Sequence, residues 1–292
     1  MTGGPKTRGV LAGQIVMAIG CGTPDGQINN GFAAARAFLA AGADVCIVDR
    51  DPTALEYARR TLARSASVDG DLETATISFG DGASRVTTVA ADVVDERSLQ
   101  SAFEHCLAQL EPPSVLHYNV GIVVNGGLDA LESSAFRTAL DVNLTGAFSS
   151  MKLVLPYLRE AGGGSIITVS SVGGMRYMGY DYPAYAASKA GLIELTKVTG
   201  LRHAHEGIRA NSIAPGLIET PLIHTSISGH YESVDAMLAA RHALSPTGRM
   251  GTPEDIAELA VFLASKASTY INATVIPVDG GLAHQVGMAA GD

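Results

Sequence analysis

The stretch from Ile15 to Asp49 constrains this chain more than any other. A short apolar run, Ile15 to Ile19, meets a Gly/Pro/Asn-rich loop from Gly20 to Gly31, and an alanine-rich segment, Phe32 to Ala41, follows. After Gly42 a second apolar run, Asp44 to Val48, closes on Asp49 about thirty residues beyond the first. Short apolar runs bounded by turn residues read as buried strands, and the longer Ala-rich segment reads as a helix. Together they make a βαβ unit of the dinucleotide-binding type, in which glycines let the backbone approach a pyrophosphate and the helix N-terminus favours its charge. An acidic residue ending the second strand then hydrogen-bonds the ribose. Asp49 holds that place, or is a plain turn residue; as a ribose ligand it would repel a 2'-phosphate, so NAD is expected rather than NADP. Gly20, Gly22, Gly26 and Gly31 depart from the usual glycine spacing, with about five additional residues within the loop.

The alternation continues. Pro52 to Ala66 reads as a helix opened by Asp51, and the polar stretch Ser67 to Ser84 reads as a surface insertion, a solvated loop or hairpin. Arg85 to Ala90 is a third strand ending at Asp92, Glu96 to Leu110 a helix, and Pro112 and Pro113 break the chain. Val115 to Tyr118 is a fourth strand running into Asn119, and a long helical region, Ser133 to Arg159, contains Asn143. Strand five, Ser165 to Val169, delivers Ser170 and Ser171 at its carboxyl end, where parallel sheets bind ligands. Strand six (Arg209 to Ile213), Pro215 and Gly216, a variable stretch to Arg249, a helix opened by Pro253, and strand seven (Thr274 to Val278) complete the chain. Strands alternating with helices call for a parallel sheet covered on both faces, and no repeat or linker interrupts residues 1–292, so one domain is expected.

Twenty basic against twenty-nine acidic residues give a net charge of -9 with no Lys/Arg run, which argues against nucleic acid and anionic membranes. A small-molecule partner fits better. No apolar stretch approaches membrane-spanning length, and Met1 to Gly9 reads as a loose tail rather than a secretory signal. Cys21, Cys46 and Cys106 lack metal-ligand spacing, so the expected compartment is a reducing cytoplasm.

Tyr185 and Lys189 stand four residues apart on one face of a helix. A phenol loses its proton near pH ~10, and a neighbouring cation favours the phenolate, so Lys189 is expected to draw Tyr185 towards general acid/base work.

Several motifs then occur in a familiar order: the strand ending at Asp49, Ala91-Asp92-Val93, Asn119-Val120-Gly121, Asp141-Val142-Asn143, Ser170-Ser171, Tyr185 with Lys189, Asn211 through Pro215-Gly216 to Thr220, Arg249 to Glu254, and Val278 to Gly281. This ordered set resembles the short-chain dehydrogenase/reductase family over nearly the whole chain. The resemblance implies an α/β fold: a single-domain, Rossmann-like, doubly wound sheet of about seven parallel strands with helices on both faces. It also implies hydride transfer between a nicotinamide and a carbonyl or alcohol. In that reaction Tyr185 would take the hydroxyl proton, Lys189 would hold the phenolate and the nicotinamide ribose, Ser171 would hydrogen-bond the substrate oxygen, and Asn143 would carry a water linking Lys189 to solvent. Carried over by position, Gly20 and the segment Gly26, Gln27, Ile28 would meet the pyrophosphate, Asp49 the adenosine ribose, and Asp92 with Val93 the adenine. Asn119 would lie near the ribose, and Pro215 leads to Ile218 and Thr220 at the nicotinamide carboxamide and diphosphate. The family resemblance also suggests a homodimer or homotetramer packed through the helices around Asn143 and Tyr185.

The loop from Gly20 to Gly31 looks more like that of the enoyl-acyl-carrier-protein reductase branch, whose tyrosine lies seven residues before the lysine, and Tyr182 occupies that spacing. Two readings therefore compete with secondary alcohol/ketone chemistry: enoyl-thioester reduction using Tyr182, and an NAD-sensing protein without turnover. Ser171 and Pro215-Gly216 favour Tyr185. The substrate is expected between the Val172 to Tyr182 loop and a lid at about 217–247, both rich in Met, Leu, Ile and Tyr, which suggests an apolar, cyclic or aromatic alcohol or ketone. Arg176 and Asp181 read as polar-group ligands or solvated loop residues, and His224 and His230 as lid-surface residues, with no metal constellation.

Overall fold

The computed structural model describes residues 9–65, 67–71, 74–79, 82–221, 223 and 232–285. The loose tail expected at the start lies, but for Gly9, outside the described residues. In chain order the first half comprises β1 (Ile15–Ile19), α1 (Asn30–Ala40), β2 (Asp44–Asp49), α2 (Pro52–Ser65), β3 (Ser67–Asp71), β4 (Thr74–Phe79), β5 (Gly82–Ala90), α3 (Glu96–Gln109) and β6 (Val115–Tyr118). The second comprises α4 (Ser133–Leu140), α5 (Gly146–Glu160), β7 (Gly164–Val169), α6 (Pro183–His203), β8 (Ile208–Pro215), α7 (Val234–Leu244), α8 (Pro253–Ala264) and β9 (Val275–Val278).

Side-chain alternation along the central strands divides the core in two. In β1, Val16 and Ala18 join one apolar cluster, and Ile15, Met17 and Ile19 join the other. β2 does the same with Val45 and Ile47 against Cys46 and Val48. Both faces of such strands are dry, which is why they read as unbroken apolar runs. Helices α1, α2 and α8 close the first face with Phe32, Phe38, Leu62 and Ile256, while α3, α5 and α6 close the second with Leu99, Phe103, Met151 and Leu192. Each large side chain so buried is worth roughly 1.5–3 kcal/mol. All three cysteines are free and buried in this packing. Among the described residues no helix is long and apolar enough to cross a membrane.

Among the described residues the strands form one nine-stranded sheet in the order β3-β4-β5-β2-β1-β6-β7-β8-β9. The seven from β5 to β9 in that order pair in parallel, as expected. The strand order reverses beside β1, which pairs with β2 on one side and β6 on the other, and a crevice opens beyond the carboxyl ends at such a point.

Of the two alternatives for Ser67 to Ser84, loop or hairpin, the structure has the strand pair: β3 and β4 pair antiparallel and extend the sheet from β5, and the alternating Ala75 and Ile77 enter the first core. The region Ser133 to Arg159 is helical throughout, as expected, with a π turn, Asp141–Thr145, between α4 and α5. The buried Tyr118 hydroxyl donates to the Val142 carbonyl at 2.7 Å, and the Gly146 amide closes back on Asp141 instead. Removing that carbonyl from the regular ladder accounts for the wider turn.

Candidate active site

Helix α6 brings Tyr185, Ser188 and Lys189 against the ends of β6 and β7. Lys189 is 3% exposed, and its ammonium donates to the Val169 carbonyl at 2.9 Å and the Val120 carbonyl at 3.4 Å. Burial lowers its pKa to about 8. Burial raises the Tyr185 phenol above its ordinary value, while a hydrogen bond with Ser171 works in the opposite direction. The Lys189 ammonium lies 5.8 Å from the centre of the Tyr185 ring and donates to backbone carbonyls, and Ser171 also acts on the phenol. The Ser171 oxygen accepts from the Gly173 amide at 3.0 Å, which fixes the hydroxyl at the start of a helical turn after β7. Ser170 is a scaffold residue, donating to the Lys189 carbonyl at 2.8 Å.

These groups open onto a cavity of about 1290 Å³. Its wall includes Ser171, Tyr185 and Lys189 together with Gly20, Gln27, Asp49, Asp92, Val93, Asn119, Pro215, Ile218 and Thr220. Three expected site residues are not on that wall. Asn143 lies behind it, fully buried in the π turn, where its amide oxygen accepts from the Ile122 amide and its nitrogen donates to the Ile122 carbonyl and to Ser188. With those bonds made, its side chain secures the loop after β6 to α6. Gly26 is also off the wall, and Ile28 packs against the first core because its apolar side chain gains more there than beside polar loop groups.

At the far end Asp49 accepts from the amides of Gly22 at 2.9 Å and Asp51 at 3.2 Å, so its carboxylate is fixed at the end of β2. Asp92 accepts from the Val94 amide and Asn119 donates to the Gly20 carbonyl; both do turn-holding work while facing the cavity. The loop between β1 and α1 is tight. Gly20 has φ +77°, and a Cβ on Gly31 would fall 2.3 Å from the Gly20 carbonyl oxygen, so neither position accepts a side chain. Asn29 caps α1 by accepting from the Phe32 amide at 2.8 Å, and the buried Asn30 Oδ1 has no partner among the described residues. A close-packed glycine loop, a helix N-terminus, and a fixed carboxylate across the crevice form a donor set that fits a dinucleotide.

At the other end the wall carries Met178, Tyr180, Tyr182, Leu217 and Ile223, close to a small third core that α7 supplies with Met237. Tyr182 is stacked on Tyr180 and meets Tyr185 edge-on. Arg176 does not face this space: its guanidinium binds the carbonyls of Leu282, Ala283 and Gln285. Asp181 is on the wall but exposed, and His224 and His230 lie outside the described residues. One charged group had been missed. Arg241 of α7 is buried on the cavity wall, and its signal was a cation on an apolar helix face, flanked at helical spacing by Met237, Leu238 and Leu244.

A family model described as enoyl-(acyl carrier protein) reductase matches residues 30–283. The chain is 31% identical over 283 residues to a levodione reductase of Leifsonia aquatica, covering 96% of this chain and 97% of that one. It is 35% identical over 202 residues to a cis-4-hydroxycyclohexanecarboxylate dehydrogenase of Sinomonas cyclohexanicum, covering 69% of this chain and 78% of the relative. A solved structure described as a short-chain dehydrogenase/reductase from Burkholderia xenovorans superposes with a TM-score of 0.85 at 33% identity, covering 96% of this chain and 100% of the other.

Proposed function

This chain belongs to the short-chain dehydrogenase/reductase family and is an oxidoreductase of CH-OH and C=O groups, and we propose that it interconverts a cyclic secondary alcohol and its ketone with NAD as cofactor. The observation that carries this reading is that Ser171, the half-buried Tyr185 and Lys189 share the wall of one cavity that continues to Asp49.

A bound nicotinamide accepts the hydride in oxidation and supplies it in reduction. The chain's own groups handle the proton and the charge. Tyr185 takes the proton from the substrate hydroxyl in oxidation and returns it in reduction. Ser171 donates to the substrate oxygen as its charge develops, and burial strengthens that bond by excluding water. Lys189, held by the Val169 carbonyl, places a positive charge over the Tyr185 ring and would hold the ribose of the nicotinamide. Gly20, Gln27 and the α1 N-terminus would hold the pyrophosphate, Asp49 the adenosine ribose, and Asp92 and Val93 the adenine; Asn119, Pro215, Ile218 and Thr220 would line the nicotinamide half. Asp49 supports NAD because its fixed carboxylate would repel a 2'-phosphate.

The named substrates of the two relatives above support a cyclic alcohol or ketone. Tyr182 is the weaker acid for enoyl reduction, since among the described residues its hydroxyl has no hydrogen bond and burial pushes its pKa up. Self-association is proposed through α5 and α6, which leave Phe148, Val198 and Leu201 exposed.

The test is reduced-nicotinamide absorbance during incubation with NAD or NADP and a panel of cyclic secondary alcohols, beside Tyr185→Phe. Turnover with NAD that disappears in the variant supports the reading. Folded protein that binds NAD and reduces enoyl thioesters, or turns over nothing, overturns it.

A further inference from the structure

Arg241 is 4% exposed and keeps its charge there, because a guanidinium does not lose its proton in a protein. A buried cation is normally matched by an anion, since desolvating it otherwise costs several kcal/mol. Among the described residues no carboxylate forms an ion pair with Arg241. Its Nη1 donates to the Tyr180 hydroxyl at 3.2 Å, a neutral acceptor, and its buried Nε has no acceptor at all among the described residues. The side chain is therefore held in place but not neutralised.

Its position gives the missing anion a direction. Arg241 is on the wall of the same cavity as Tyr185. The Tyr180 ring that orients it stacks on Tyr182 at 5.6 Å between centroids, and Tyr182 meets Tyr185 edge-on at 5.3 Å. Three tyrosines thus run from the guanidinium to the proton-transfer group. Asp181 on the same wall is exposed, so water screens its charge more than that of Arg241.

We propose that Arg241 anchors the substrate through a carboxylate, so that the substrate is a hydroxy or oxo acid whose carboxylate and reacting carbon lie on opposite sides of Tyr182. This rests on the alcohol/ketone reading above and replaces the expectation of an uncharged apolar substrate: the walls are aromatic and aliphatic, and one end is cationic. The planar fork of the guanidinium suits a carboxylate, which accepts two parallel hydrogen bonds.

The test is calorimetric titration of the whole protein, with and without NADH, using cyclohexanecarboxylate and the neutral cyclohexanecarboxamide as probes. Wild type should bind the carboxylate roughly thirtyfold more tightly, the worth of one hydrogen bond to a charged group. Arg241→Met, checked for folding by circular dichroism, should bring that ratio close to one, and Arg241→Lys should keep part of it because it retains the charge without the fork. Equal binding of both probes by wild type overturns the proposal whether or not the variants fold. A carboxylate preference that persists in folded Arg241→Met also overturns it. Turnover of cyclic hydroxy acids and of their methyl esters separates this inference from the reading it rests on. Oxidation of both with equal kcat/KM sinks the anchor and leaves hydride transfer standing. Carboxylate-selective binding without turnover supports the anchor and sinks the proposed reaction.

Discussion

Lys189 holds its ammonium 5.8 Å from the centre of the Tyr185 ring while donating to the Val169 carbonyl at 2.9 Å. The cation is thus fixed by the sheet rather than by the phenol. In the proposed proton transfer it would contribute a charge at a set place, with Ser171 also acting on the phenol.

Replacing Ser171 by Ala should therefore move the pH profile as well as lower the rate. Burial raises Tyr185 and the Ser171 bond opposes that rise, so its loss shifts the rising limb of alcohol oxidation to higher pH. Loss of a donor to the developing oxyanion should lower kcat by roughly 10²–10³-fold. A profile with an unmoved limb would show that Ser171 does not act on the phenol.

Asp49→Asn removes the charge and keeps an acceptor oxygen for only one of the two amides, that of Gly22 on Oδ2 or that of Asp51 on Oδ1. The preference for NAD over NADP, measured as a ratio of kcat/KM values, should fall by roughly one to two orders of magnitude as like-charge repulsion disappears. An unchanged ratio would place cofactor discrimination elsewhere.

Asn143→Leu fills nearly the same volume but leaves the Ile122 amide and carbonyl without their partner. Unpaired buried groups of this kind cost about 1–3 kcal/mol each. The urea midpoint should fall accordingly, and an unchanged midpoint would mean that Asn143 does not secure the loop after β6.

His117 on β6 is fully buried, its ring meets Phe38 edge-on at 5.3 Å, and neither ring nitrogen has a partner among the described residues. Burial lowers its pKa from 6.5 to about 4. Between those values the unfolded chain binds the proton and the native protein does not, so stability is lost as pH falls from 6.5 towards 4. The full shift amounts to roughly 3 kcal/mol. His117→Leu should show a flatter acid limb in unfolding free energy against pH; an identical slope would count against this account.

Much of the frame was legible because its signals are local. Ile15 to Asp49 announces its βαβ unit through period and turn residues, and Tyr185 and Lys189 announce a shared face through spacing. What could not be read depended on contacts across the chain. That the Asn143 side chain bonds Ile122 and Ser188 rests on partners distant in sequence. The order of influences on Tyr185 depended on burial, which spacing does not supply. Polar Ser67 to Ser84 left loop and hairpin open because its pairing with β5 is a contact across the chain. Arg241, within the variable stretch before Arg249, meets the tyrosines only through the packing of α7.

Cys21, Cys46 and Cys106 are each 0% exposed, and they are all the cysteines the chain has. A cysteine introduced at the half-exposed Leu244, at the end of α7, would then be the one thiol open to a maleimide dye in the native protein. The surroundings of the helix that carries Arg241 can then be followed by fluorescence, with and without ligand, without first removing any native sulfur.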